Sequence, residues 1–215
     1  MTVRRSPFYA FCLLAGAALF GGAGLTHPVL RGDGAAQLAT IAATPHWHAI
    51  HWALLFGLPL MLAGLAGLVV SHLETPGAGA ARAALVLATF AFGAWALNIL
   101  FMVGAGAHLA GTYAAAEPGL ASTHAVFVYD MLHPFGLAAE RVATFSLGIA
   151  FYLLGWATWN GRLFPAWLAW GAFLTGIACM GIPLVVAETS VTLFYGQGLA
   201  VAWMAGAGVM MLLRR

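Results

Sequence analysis

Long apolar runs recurring at near-regular intervals leave this chain few ways to fold. They cover residues 7–25, 45–70, 83–106, 122–159, 165–187 and 191–213, and the connections between them together with the residues flanking the first and last runs hold eleven of the fourteen charged side chains. A hydrocarbon layer of about 30 Å is crossed by roughly 20 helical residues. Inside that layer every backbone N–H and C=O must be bonded within its own segment, so each run is expected to be a helix. The chain therefore reads as an all-α, polytopic integral membrane bundle of six transmembrane helices in one domain over residues 1–215. Composition agrees: at 63% apolar and 7% charged residues, a water-soluble surface could not be covered.

The eight basic residues are all arginine. Without lysine there is no retinal or pyridoxal Schiff base and no phosphate-binding P-loop lysine. Arg4, Arg5, Arg82, Arg162, Arg214 and Arg215 fall at alternate span ends, which by the positive-inside rule places both termini in the cytoplasm of a bacterial-type inner (plasma) membrane. Arg31 lies on the outer side and Arg141 in the fourth span. A net charge of +2 spread over span ends reads as topology information, and no nucleic-acid partner is expected. Membrane lipids are the implied surroundings. The first span, preceded by Arg4 and Arg5, is longer than the usual h-region of a cleaved signal and is expected to be retained.

Local signals refine the spans. Thr44-Pro45 suits a helix start, since a threonine oxygen can cap free N–H groups and proline loses none at the first position. Pro59 and Pro183 should kink their helices. The fourth run is too long for one simple crossing, and it is expected to form an outer segment to His133, bend near Pro134, and then span to residue 159. Residues 26–44 and 107–123 are expected to be outer loops. Trp47, Trp52, Trp156, Trp159 and Trp167 sit near span ends, as interfacial anchors do. Glycine and alanine recur within the spans, which favours close helix packing. Cys12 and Cys179 form no paired motif and read as small buried hydrophobes.

Under this topology seven of the eight histidines lie at or towards the outer side, with only His72 inside. His48 and His51 are three apart on one helix face, and Asp130 and His133 repeat that spacing on the fourth run. Two such pairs can converge as bundle proteins build metal centres, with His108 or His124 able to replace a member. Imidazole and carboxylate donors suit zinc, copper or iron. His27, beside Pro28, reads as a solvated loop residue. Glu140 and Arg141 diverge by about 100° on a helix and each needs its own partner. Asn98 and Gln197 read as interhelical hydrogen-bonding groups.

These features give a leading expectation and two alternatives. The first is a His/Asp metal centre in the outer, periplasmic half, formed from His48, His51, His108, His124, Asp130 and His133. It would carry out redox or other metal-dependent chemistry, with Asp130 or Glu140 as base in a hydrolytic version. The second is a single b-type haem held by His51 with His108 or His133, serving a quinol or a periplasmic partner. The third is a non-catalytic accessory subunit of a membrane complex.

Overall fold

A computed structural model describes residues 7–187 and 192–213. The described chain is almost entirely helical and contains seven helices, six of them long and apolar enough to cross a membrane: α1 (Pro7–Thr26), α3 (Trp47–His72), α4 (Ala78–Ala115), α5 (Leu120–Gly161), α6 (Ala166–Val185) and α7 (Thr192–Leu213). The remaining helix is the short α2 (Gly34–Ala43). The protein is thus a multi-pass membrane bundle of six spans. Arg4, Arg5, Arg214, Arg215 and the connection at residues 188–191 lie outside the described residues.

The spans form a ring in which chain neighbours are spatial neighbours: α1 packs on α3, α3 on α4, α4 on α5, α5 on α6, α6 on α7, and α7 closes on α1. Small residues set three of these seams. A Cβ on Gly16 would stand 2.6 Å from the backbone nitrogen of Met61, so α1 and α3 touch backbone to backbone. On α5 and α6, a Cβ on Gly148 would lie 2.8 Å from the carbonyl oxygen of Gly176. On α7, Gly208 instead makes room for a side chain of α1: a Cβ there would lie 2.9 Å from Cγ of Leu14. Lipid gives helices no hydrophobic drive to associate, so such van der Waals contact is a principal source of bundle cohesion.

Three expectations are corrected at one end of the bundle. Residues 26–44 are not all loop: Asp33 caps α2 by accepting the Ala36 N–H at 2.9 Å, and Gly34, Gln37, Leu38 and Ile41 form its buried stripe. This helix is too short and too weakly periodic for its apolar pattern to stand out from a loop. The third span does not end at residue 106. It passes through a π-helical turn at Met102–Gly106 and continues as α-helix to Ala115. The extra residue of a π-turn shifts the helix face, so the periodicity breaks where the helix does not. Finally, α5 is one unbroken helix of 42 residues rather than two segments. Pro134 removes one N–H and leaves the Asp130 carbonyl without its usual donor, yet helix continues on both sides.

Against this end α2, the far turns of α4 and the first turns of α5 enclose a small second core of Leu38, Ile41, Trp47, Met102, Ala110, Ala125 and Tyr129. The Tyr129 hydroxyl donates to Gln37 Oε1 at 2.9 Å, and Gln37 Nε2 donates to the Gly32 carbonyl at 3.0 Å. Gly32 has φ +81°, which favours glycine at that turn. The opposite end of the bundle carries Arg82 and Arg162, with His72 buried there beside Phe164.

Candidate functional site

A cavity of about 120 Å³ opens into the ring at the histidine end. Each wall follows from helical spacing. Trp95, Asn98, Ile99 and Met102 of α4 repeat at i, i+3, i+4 and i+7, and so share one face. On α5, His133, Leu137 and Glu140 do the same, with Glu140 two turns, roughly 10 Å, deeper than His133. Leu193, Phe194 and Gln197 come from α7, and Phe20 and Gly24 from α1. Gly24, Val29 and Phe194 are exposed, whereas His51, His133 and Gln197 are buried, so the mouth lies by the end of α1 and the start of α7.

Two imidazoles meet on one wall. His27 follows directly after α1, where Pro28 turns the chain, and its Nε2 lies 3.3 Å from Nε2 of His51 on α3. The other nitrogen of His51, Nδ1, is 2.8 Å from the Trp47 carbonyl, four residues back. A carbonyl only accepts, so Nδ1 of His51 carries the proton, its Nε2 is bare, and His27 Nε2–H donates to it. The Trp47 ring packs on His51 at 4.1 Å between centroids, and its indole N–H donates to the Met102 carbonyl at 2.9 Å, inside the π-turn. Burial pushes the His27 imidazole below its ordinary value because the charged form loses its water. The Pro28 carbonyl adjoins its ring, although Nδ1 has no partner in hydrogen-bonding geometry.

A carboxyl group lies on the facing wall. Gln197 Nε2 donates to Glu140 Oε1 at 2.7 Å, and Asn98 Nδ2 donates to Oε2 at 2.9 Å. Thr144 donates to the Glu140 main-chain carbonyl at 2.9 Å. Adjacent Arg141 points elsewhere, as the 100° step requires, and donates to the Pro183 and Val186 carbonyls at the end of α6 at 2.5 and 2.6 Å. Those are the carbonyls that a helix C-terminus leaves free, so Arg141 acts as a cap.

Of the six expected metal ligands, only His51 and His133 reach the cavity, at 2% and 8% exposure. His48, His108 and His124 are exposed, and Asp130 is exposed with its carboxylate over Gly34 at the start of α2. Both i,i+3 pairs straddle the edge of a buried face, with one member in and one out. Among the described residues, no three His, Cys, Asp or Glu side chains come close enough together to hold a metal ion. His133 stacks on Tyr129 at 4.7 Å. Of the two expected bases, Glu140 lines the cavity and Asp130 does not. Sequence reasoning placed His27 in solvent; the proline after it, which stops α1 and turns the chain inward, was the available signal. Compared with protein-family models, curated proteins and solved structures, the chain matches none, and its site has to be read from its own geometry.

Proposed function

We propose that this membrane protein holds a transition-metal ion between His27 and His51 and uses it for metal-dependent chemistry in the cavity. The carrying observation is the 3.3 Å separation of the two Nε2 atoms. Two nitrogens about 2.0–2.1 Å from a tetrahedral metal stand ~3.3 Å apart, so an ion can replace the shared proton with little movement. His51 already has the outer contact of a metal-ligating imidazole, Nδ1–H on a carbonyl, which directs the Nε2 lone pair outward. With the ion on Nε2, His27 would carry its proton on Nδ1 instead, towards the Pro28 carbonyl. Two protein ligands leave positions for water or substrate, and a bound water would have its pKa lowered. Zinc, copper and iron all suit this donor set.

The arginine pattern supports placing the cavity in the outer half of a bacterial-type inner membrane, with both termini cytoplasmic. A quinol or periplasmic partner would then meet the mouth beside Gly24, Val29 and Phe194. The haem alternative is less well supported. His108 lies off the cavity, and 120 Å³ is below the volume of about 150 Å³ that admits a benzene ring, so a macrocycle would require the helices to part.

Elemental analysis with a visible spectrum of the purified chain, loaded with zinc, copper or iron, tests the reading. About one ion per chain is expected, and His27→Ala or His51→Ala should weaken binding by about a hundredfold or more, at or beyond the roughly ten- to hundredfold that loss of a ligand's outer contact costs. His48→Ala, His108→Ala and His124→Ala should not. Equal binding in wild type, His27→Ala and His51→Ala, or no binding at all, would leave the pair as a packing hydrogen bond and favour the accessory-subunit reading.

A further inference from the structure

The metal reading leaves unused the most costly group in the bundle. A carboxyl in the apolar interior is expensive unless something offsets its charge. Both oxygens of Glu140 are hydrogen-bonded, but only by neutral amides, Asn98 on α4 and Gln197 on α7. The charged and titratable groups around it are few. Arg141 on the same helix is committed to α6 carbonyls. His133 lies two turns above on α5, and His27 and His51 line the cavity from the end of α1 and from α3. Neither α4 nor α6 adds an acid or base to the lining, and α7 contributes only Leu193, Phe194 and Gln197. Hydrogen bonds satisfy the oxygens; they do not cancel the charge.

We propose that Glu140 is a proton-binding site of the membrane interior, exchanging its proton with the histidine-lined cavity and held in both states by the Asn98 and Gln197 amides. As a carboxylate it accepts one N–H on each oxygen. As an acid it needs an acceptor for its new O–H, and Asn98 provides one. The Oδ1 atom of Asn98 is buried and without a partner, and half a turn of the amide brings Oδ1 to the place of Nδ2. Gly136 makes the room, since a Cβ there would collide with Oδ1. One proton moves between Glu140 and cavity water, and no other bond changes. The site stands whether or not His27 and His51 bind a metal, and it gives the cavity an acid–base group two turns below its rim.

Infrared titration of the full chain in lipid, stripped of metal with a chelator, tests this directly. A carboxylic C=O band that disappears as pH rises is expected, and it should be absent from Glu140→Gln. Dicyclohexylcarbodiimide, which attacks protonated carboxyls in apolar surroundings, should label Glu140. Removing one amide donor by Gln197→Leu, or by Asn98→Leu should the first not fold, should raise the proton affinity about tenfold or more. That is the scale of one charge-assisted hydrogen bond to the carboxylate. A structural role would leave the spectrum pH-independent. Identical spectra for wild type and Glu140→Gln across the titration, or adducts only on other acids, would overturn the proposal.

Discussion

The α1–α3 and α5–α6 seams and the cavity walls solve opposite problems with the same helices. Along the seams, Gly16, Gly148 and Gly176 remove side chains until backbones touch. At the histidine end α1, α3, α4, α5 and α7 stand apart around Phe20, Trp95 and Leu193, and the space is edged by imidazole, amide and carboxyl groups. His27 is paired with His51, and Glu140 with Asn98 and Gln197, across that space. The difference teaches that the cavity is not a packing fault. A chain able to bring backbones into contact over two seams leaves this room where imidazole, amide and carboxyl groups collect.

The largest effect should come from filling a seam. Leucine at Gly16 or Gly148 would drive a side chain into a neighbouring backbone that cannot rotate away. Overpacking typically costs about 1–3 kcal/mol, and a whole side chain against backbone lies at or above that limit. On a chain of this length each kcal/mol lowers the melting temperature by about 2–4 °C. Gly16→Leu and Gly148→Leu should therefore melt on the order of 10 °C lower in detergent, or elute as aggregates. Gly93→Ala is the control, since a Cβ there meets nothing within 4 Å and should not destabilise. Equal melting of all three variants would mean that the seams do not hold the bundle.

Gly136 tests where seam and cavity meet, and a smaller effect is expected. It is a seam glycine by position, between α4 and α5, but what a Cβ would strike is a side chain, Asn98. Asn98 can swing, so Gly136→Ala should cost about 1 kcal/mol, with a melting shift of a few degrees at most. It should nevertheless move the Asn98 amide off Glu140, so that the infrared band of the carboxyl changes while the fold persists. A large loss of stability with an unchanged band would place Gly136 with the seams.

How far the sequence disclosed this division follows from what periodicity carries. Six spans were legible because run length and the absence of charge report lipid burial directly. The helix continuing through Met102–Gly106 was not, because a π-turn breaks the periodicity that signals a helix. Periodicity also states which residues share a face, not which faces converge. His51, His133 and Glu140 were therefore found as candidates, but the pairs His48/His51 and Asp130/His133 were read as units when each straddles a burial boundary. His27 lay beyond any periodic argument, since it owes its position to the ring closing between α1 and α7. Asn98 and Gln197 were recognised as interhelical groups, whereas their common target required three helices to be in place.

The smallest effect concerns His27, and its sign sharpens the contrast between a dry wall and a wet rim. Burial holds the imidazole below its ordinary value of 6.5, so the folded chain binds this proton less readily than the unfolded chain. Where the unfolded state binds more protons, stability rises with pH. The contribution is therefore complete above about pH 6.5, the ordinary imidazole value, and is lost progressively as pH falls below it. Melting of the metal-free protein should decline over that interval, and His27→Gln, which cannot take up a proton, should show a shallower decline. A bound cation would deepen the slope, since proton and metal compete for the same Nε2 lone pairs. Identical slopes for His27→Gln and wild type would mean that the ring is solvated as it stands, and that the wall at which it meets His51 belongs to the rim.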